Sequence, residues 1–368
     1  MTLLDTRLTS VLKDPLSAAK ASGKPVVLYV SNDIPIELIH ASGCFPLQLP
    51  TAARSEYTRA DRYLEPNFEP MVRSALEQLL QGELNAASML VLPRSNDAWQ
   101  RLYYYLCELA RSFGEQIPEP FMYDLQKLPS ESSAHYNLQS TELFAHKLQA
   151  LAGSTLTNAA LAESIALFNR VRSQLQRILQ RRYERPMRLS GADALQLFIA
   201  VQRQDPTVVE AALRDLPESE EVTGTPTLLI GSTHDTPQLH HEIARAGGQV
   251  VLDFHSRGDW SFGPAVTEDG EPLEALSEHY HKHSLSSRSH PPPLRALLDA
   301  AAVSGARSAV FFYYSEEEAL TWDYPAQSKA LSARGIRSLL LPRQPYPIRT
   351  DVEAPLSAFF TTNPKSTP

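Results

Sequence analysis

The sequence contains only two cysteines among 368 residues, Cys44 and Cys107, and they lie far apart in the chain. Disulfide-stapled domains and structural zinc sites use several thiols at short, regular spacings. A cysteine-ligated iron–sulfur cluster usually needs four thiolates. The sequence therefore predicts that this chain alone forms no disulfide framework and holds no structural zinc or iron–sulfur cluster.

Basic residues and long apolar runs are also scarce. There are 34 Lys and Arg against 42 Asp and Glu, for a formal charge of −8, which does not suit binding to nucleic-acid phosphates. No apolar run is long enough to span a membrane, and the first residues do not follow the order of a signal peptide. No phosphate-binding or dinucleotide-binding glycine motif occurs. We expect a cytoplasmic protein whose partners are small molecules or other proteins.

Short β-branched runs alternate with helical patterns in both halves of the chain, which is typical of βαβ units and parallel sheets. Strand patterns disappear between about residues 141 and 216, where the apolar spacing favours long helices. The sequence predicts an α/β protein with two Rossmann-like or flavodoxin-like lobes and mainly parallel sheets. The N-terminal lobe spans 1–140, a helical bridge 141–216 and the C-terminal lobe 217–368.

Polar residues follow several of the predicted strands. Ligands of open α/β sheets bind beyond the carboxyl ends of the strands, so these corners are candidate binding positions. Asn, Asp and Ser are also common helix caps and turn residues, which is the simpler interpretation of each one alone. The four corners are 31–33, 94–97, 232–235 and 253–257.

Segments 34–49, 70–106, 230–260 and 323–341 resemble, in order and spacing, the subunits of the 2-hydroxyacyl-CoA dehydratase and benzoyl-CoA reductase family. The resemblance implies two related α/β subunits that pair, each with a [4Fe–4S] cluster. It further implies an electron supplied by an ATP-driven activator and removal of a hydroxyl group from a CoA thioester through a ketyl radical.

The sequence departs from that family where cluster cysteines are expected. Those places hold Glu69, Asn96, His255 and the stretch around Ser315 and Glu316. Carboxylate and imidazole groups bind iron, but an amide is a poor ligand. We therefore expect no cofactor and no [4Fe–4S] cluster in this chain.

The resemblance implies candidate residues with two kinds of role. Catalytic roles are predicted for Ser31, Glu69, Asp97 and His255. Ligand contacts are predicted for Asn32, Asn96, Arg94, Ser232 and His234. Ser31 and Asn32 are expected to hydrogen-bond a thioester carbonyl or hydroxyl group. If the alignment is right, Ser31, Glu69, Asn96 and His255 meet in one cleft.

Three functional hypotheses follow. The first is a non-redox or partner subunit that binds an acyl-CoA-type ligand or small carboxylate, as a homodimer or with a related, cluster-bearing subunit. The second is a repurposed enzyme that uses acid–base chemistry on an acyl-CoA or carboxylate, with Glu69, Asp97 and His255 converging. The third is a mononuclear metal-binding protein that uses Glu69, His255 and either Asp253 or His234. An active form is expected to be a lyase that dehydrates acyl-CoA thioesters.

Overall fold

The computed structural model describes residues 4–51, 54, 56–217, 219–284 and 293–362. Its first lobe is built around a parallel sheet of four strands: β1 (Val26–Tyr29), β2 (Phe45–Gln48), β3 (Ala87–Pro93) and β4 (Glu119–Tyr123). The strand order is β2-β1-β3-β4. The helices of this part are α1 (Thr6–Lys13), α2 (Ser17–Ser22), α3 (Ile36–Ala41), α4 (Pro70–Leu80) and α5 (Asp97–Phe113).

The central strands of this sheet are apolar along their whole length because both faces are covered. Successive residues of β1 alternate between two buried cores, with Leu28 on one face and Val27 on the other. A strand buried on both faces is expected to be a continuous hydrophobic run, as Val26–Tyr29 is.

Four helices follow the first sheet: α6 (Glu131–Ala152), α7 (Asn158–Gln180), α8 (Gly191–Val201) and α9 (Pro206–Arg214). Each begins at a side-chain cap, from Ser130, Thr157, Ser190 and Asp205. Helix α1 packs with them, since Leu8 and Val11 share a core with Leu175 and Phe198. The boundary predicted at residue 140 falls within α6.

The second lobe repeats the strand order of the first. Its sheet contains β5 (Thr225–Gly231), β6 (Gly248–Phe254), β7 (Ser308–Tyr314) and β8 (Arg337–Gln344), in the order β6-β5-β7-β8. Every pairing in both sheets is parallel. The remaining helices are α10 (Gln238–Arg245), α11 (Pro272–His283), α12 (Pro293–Ser304), α13 (Tyr324–Ser332) and α14 (Glu353–Thr361). The predicted α/β class with two parallel-sheet lobes is confirmed.

Helix α11 belongs to the second half of the sequence but packs against the first lobe. Leu276 and Tyr280 are buried in the same core as Ile34 and Phe144. The Tyr280 hydroxyl donates to Glu37 Oε2 at 2.8 Å, and Arg172 pairs with Oε1 of the same carboxylate. Glu37 is fully buried. Burial by itself would raise the pKa of Glu37, but the Arg172 guanidinium outweighs burial and lowers it.

We predict that Tyr280→Phe destabilises the protein by about 1–3 kcal/mol, because a buried carboxylate loses one of its donors. Tyr136→Phe is the matched control, since the Tyr136 hydroxyl donates to Asp124 at the surface, at 2.8 Å. Chemical denaturation of both variants at pH 7 measures the difference. Equal effects of the two substitutions would contradict the prediction.

Helices long and apolar enough to cross a membrane are absent from the part of the chain that the structure describes.

Candidate functional site

A cavity of about 120 Å³ lies where the carboxyl ends of the two sheets meet. In each sheet the chain order reverses between the first and third strands, and ligands of such sheets bind at this switch point. The loops that follow β1, β3, β5 and β7 all reach the cavity, through Ser31, Asn96, Ser232 and Glu317 respectively. The two switch points therefore face one another across a shared space.

Ser31 holds an uncommon backbone conformation at the cavity wall. Its φ of 72° lies in the left-handed region, which residues other than glycine rarely adopt. The neighbouring Asn32 donates through Nδ2 to the Trp260 carbonyl at 2.9 Å, which ties the first lobe to the second. Strained backbone of this kind concentrates at functional sites, where the surrounding structure holds it in place.

Gly231 lets two strands approach closely beside the cavity. It ends β5 with a φ of 122°, and a Cβ atom there would lie 2.3 Å from the Phe312 carbonyl oxygen. The next residue, Ser232, donates its backbone N–H to the same carbonyl at 2.9 Å. Its hydroxyl accepts from the Tyr314 backbone N–H at 3.0 Å. Ser232 thus lines the cavity while its hydroxyl fixes the end of β7.

Glu69 and Asn96 form a hydrogen-bonded pair in the cavity wall. Asn96 caps α5, because its Oδ1 accepts from the Trp99 backbone N–H at 3.1 Å. Its Nδ2 donates to Glu69 Oε1, also at 3.1 Å. Burial, reinforced by the negative charge of Glu316, raises the pKa of Glu69 against the opposing effect of the Asn96 hydrogen bond.

Glu317 is a cavity residue that was not among the predicted site residues. It lies in the acidic run Glu316–Glu318 directly after β7, and this position after a strand is the sequence feature that could have identified it. Burial and the charge of Glu69 raise the pKa of Glu317 to about 7. Two neighbouring carboxyl groups that resist ionisation together can hold one proton at neutral pH, which is an arrangement suited to acid–base chemistry.

His255 lines the cavity in front of a buried cluster of polar side chains. Among the described residues neither of its ring nitrogens has a hydrogen-bond partner, although the residue is only 2% exposed. Its Nε2 lies 3.6 Å from Asp253 Oδ1, which in turn meets His240 Nε2 at 2.6 Å. Burial alone would raise the pKa of Asp253, but the two histidines outweigh burial and lower it. His255 thus lines the cavity while its Nε2 lies next to the buried Asp253 carboxylate.

Comparisons with known proteins identify the family of the chain. The family model described as 2-hydroxyglutaryl-CoA dehydratase, D-component, matches residues 32–347. The chain belongs to this dehydratase family. The predicted resemblance is thereby confirmed at the level of the family.

Two curated relatives of the dehydratase family are similar over different lengths. Lactoyl-CoA dehydratase subunit beta of Anaerotignum propionicum is 20% identical over 335 residues, which cover 87% of this chain and 86% of the relative. (R)-2-Hydroxyglutaryl-CoA dehydratase, subunit beta, of Acidaminococcus fermentans is 20% identical over 182 residues, which cover 47% of this chain and 45% of the relative.

The structure brings six of the predicted site residues of this dehydratase-family chain to one cavity: Ser31, Asn32, Glu69, Asn96, Ser232 and His255. The other three, Arg94, Asp97 and His234, are not among its described lining residues. Arg94 is at the surface, where it pairs with Asp124 at 2.7 Å. Asp97 is the exposed first residue of α5.

His234 lies behind the wall of the dehydratase-family cavity. Its ring centroid is 5.4 Å from that of His255. Burial and the neighbouring His255 lower the pKa of His234 well below its ordinary value, so this imidazole is neutral at pH 7. A neutral, fully buried imidazole supports the wall instead of reaching the ligand space.

The side chains of this cavity do not fit a cysteine-ligated cluster. Cys44 is fully buried in an apolar core of the first lobe, and burial raises the pKa of its thiol to about 11. Cys107 lies within α5, and neither cysteine lines the cavity. The lining residues offer carboxylate, amide, hydroxyl and imidazole groups, whereas a cubane is normally held by thiolates.

The positions of the possible metal-ligating side chains do not support the mononuclear-metal hypothesis. Within the residues that the structure describes, no three histidine, cysteine, aspartate or glutamate side chains are arranged to hold a metal ion.

Proposed function

We propose that this chain is a dehydratase-family subunit that binds an acyl-CoA-type ligand in the interlobe cavity and holds no iron–sulfur cluster of its own. One observation carries the proposal: residues from four strand ends, far apart in sequence, line a single cavity at two facing switch points. Ser31 and Asn32 line this cavity and are expected to hydrogen-bond a thioester carbonyl or hydroxyl group, and the described lining includes no thiol.

The same proposal includes a partner and a location. Both curated relatives are named as beta subunits, which supports assembly with a second, related subunit. We propose a homodimer or a heterodimer with a cluster-bearing subunit that acts in the cytoplasm. In the heterodimer, redox chemistry would belong to the partner and ligand binding would be shared.

A second candidate function is acid–base catalysis on the bound acyl group. It is favoured by Glu69 and Glu317, two cavity carboxyl groups whose pKa values are both raised, that of Glu317 to about 7. The His255 side chain lines the same cavity. Such a site could protonate a leaving hydroxyl group while a neighbouring base accepts a proton, so this candidate enzyme would be a lyase.

We expect the purified protein to bind butyryl-CoA, and Ser31→Ala to weaken that binding about 5–10-fold. The loss corresponds to one hydrogen bond of about 1 kcal/mol. Isothermal titration calorimetry measures it, together with the iron content and visible absorbance of the same preparation.

Ser315→Ala is the matched control for this titration, since Ser315 also follows a strand but is exposed and binds the Gln344 carbonyl at 3.3 Å. The ligand proposal would be contradicted by the absence of acyl-CoA binding, or by equal effects of the two substitutions. Stoichiometric iron with a cluster absorption band would contradict the cluster-free part.

A further inference from the structure

Two histidines of α11 line a second, smaller cavity beside the interlobe cavity. His279 and His283 lie four residues apart, so their side chains project from the same face of the helix. The lining of this second cavity shares Ser31, Asn32 and Trp260 with the interlobe cavity. The two cavities are therefore neighbours with a common wall.

The size of the second cavity limits what it can hold. Its volume is about 20 Å³, against about 120 Å³ for the interlobe cavity. A water molecule needs about 10–15 Å³ of such space. The second cavity therefore has room for a water molecule or a small ion, but not for an organic ligand.

The separation of the two imidazoles matches that of rings that share one metal ion. Zinc binds imidazole nitrogen at about 2.0–2.1 Å in tetrahedral geometry, which places the centroids of two coordinated rings roughly 5 Å apart. The centroids of His279 and His283 are 5.2 Å apart. Among the described residues, neither imidazole has a hydrogen-bond partner that would compete with a metal ion. Imidazole suits zinc, copper and nickel ions.

Gly263, in the segment after β6, leaves the space beside these rings open. A Cβ atom at this position would lie 3.5 Å from His279 Nε2 and 3.6 Å from His283 Cβ. A larger residue would therefore place its side chain against both histidines. His279 is buried, whereas His283 is exposed, so an ion can enter the space from solvent.

The charges near the two histidines are balanced. Three cations are each paired with a carboxylate: Arg172 with Glu37, Lys127 with Asp33 and Lys282 with Glu278. Both histidines lie near the C-terminus of α11, where the carbonyl groups of the last turn favour a cation. A metal ion at this position therefore meets no unpaired positive charge among these groups.

We propose that His279 and His283 bind one divalent transition-metal ion, such as zinc, in the second cavity. Water fills the remaining coordination positions of the ion. A site of this kind needs only two protein ligands, so it is compatible with the absence of a three-ligand group among the described residues. This inference goes beyond the proposed function and does not depend on it, because the metal ion binds without an acyl-CoA ligand.

Isothermal titration calorimetry of the full chain, freed of metal with a chelator and carrying no affinity tag, tests the proposal. We expect one zinc ion to bind per chain, and magnesium not to bind, because magnesium prefers oxygen ligands. His279→Gln and His283→Gln should each weaken zinc binding by about 10-fold or more, since each removes one of two protein ligands. His281→Gln is the matched control: its Nε2 donates to the Leu128 carbonyl at 2.9 Å, and this variant should bind zinc as wild type does.

Gly263→Ala distinguishes a formed site from two histidines that merely share a helix face. The added methyl group makes ordinary contacts, at 3.5 Å from His279 and 3.6 Å from His283, so the fold should be unaffected. The methyl group would occupy the space of the ion, so zinc binding should weaken as it does in His283→Gln. The proposal is overturned if wild type binds no zinc, if Gly263→Ala keeps its full affinity, or if His281→Gln loses as much as His283→Gln.

A spectroscopic measurement covers the case in which His279→Gln does not fold. His283 is exposed, so His283→Gln is expected to fold normally. Copper(II) bound to wild type should give an electron paramagnetic resonance spectrum with hyperfine splitting from two imidazole nitrogens, and His283→Gln should lose one of them. A two-imidazole spectrum that persists in His283→Gln overturns the proposal. Butyryl-CoA titration of the same variants reports on the proposed function separately.

Discussion

Arg182→Met is expected to destabilise the protein by about 3–5 kcal/mol at pH 7, the range found when one partner of a buried ion pair is removed. The Arg182 side chain is completely buried. It donates to both oxygens of Asp259, at 3.1 and 2.5 Å, and lies 4.0 Å from Asp253. Methionine fills similar volume but leaves Asp259 without the guanidinium that pairs with it, and it removes a nearby cation from Asp253, which keeps its contact with His240.

The pH dependence of this loss has a defined sign. In the wild-type protein the pKa of Asp253 lies below its ordinary value, so its contribution to stability is present above that value and is lost as the pH falls. A buried carboxylate that loses a cationic neighbour ionises less readily. The difference between wild type and Arg182→Met should therefore be largest near neutral pH and shrink toward pH 4.

Denaturant titration of Arg182→Met, with Arg181→Met as the control, measures this effect. Arg181 precedes Arg182 in the chain, but its side chain donates to the Pro217 carbonyl at the surface, at 3.0 Å. A second substitution, Asp259→Asn, should recover part of the stability lost in Arg182→Met because it removes one unpaired charge. A loss no greater than that of Arg181→Met would show that the buried ion pair is not important for stability.

Glu317→Gln is expected to stabilise the protein at pH 8 by up to about 3 kcal/mol and to have little effect at pH 4.5. The pKa of Glu317 is raised from 4.5 to about 7 by burial and by Glu69. A shift of one pKa unit corresponds to about 1.4 kcal/mol, so a rise from 4.5 to about 7 gives a stability difference of about 3 kcal/mol. Gln keeps an oxygen that can accept the Leu320 backbone N–H, as Glu317 Oε1 does at 3.0 Å.

The sign follows from proton linkage. The folded state holds the proton of Glu317 more tightly than the unfolded state does, so the favourable contribution is fully present below pH 4.5. It is lost as the pH rises through about 7. Glutamine resembles the protonated form at every pH, so the variant does not share this loss.

Unfolding curves of wild type, Glu317→Gln and Glu318→Gln between pH 4.5 and 8 test this expectation. Glu318 is the matched control because it is exposed and directly follows Glu317. Parallel pH profiles of wild type and Glu317→Gln would mean that this carboxyl group ionises normally in the folded protein. The paired-carboxyl basis of the acid–base candidate function would then be lost.

The sequence by itself determined the fold class and the positions of most of the strands. Strands such as Val26–Tyr29 and Ser308–Tyr314 are buried on both faces. Such strands need apolar side chains at successive positions, and a continuous apolar run is visible in the sequence. The sequence also indicated that Asn96 or Asp97 caps α5, because capping depends on a few neighbouring residues, and the structure shows that Asn96 is the cap. The scarcity of cysteine is likewise a property of the amino-acid composition alone.

Only the tertiary structure decided which polar residues after the strands share a cavity. Ser31, Asn96 and Ser232 meet because the strand order places their strands near the two facing switch points, and strand order is set by long-range packing. Arg94 and Asp97 lie in the same loop as Asn96, but their side chains do not line the cavity. A shift of one or two residues along a loop changes the direction of the side chain.

The charges of the site also depended on the tertiary structure. Glu69 and Glu317 are ordinary charged residues in the sequence, and nothing beside either residue predicts that the two carboxyl groups interact. Their pKa values depart from the ordinary because the folded chain removes water from them and brings like charges together across long sequence separations. Local sequence determines where a strand or helix forms, but desolvation and charge pairing belong to the assembled fold.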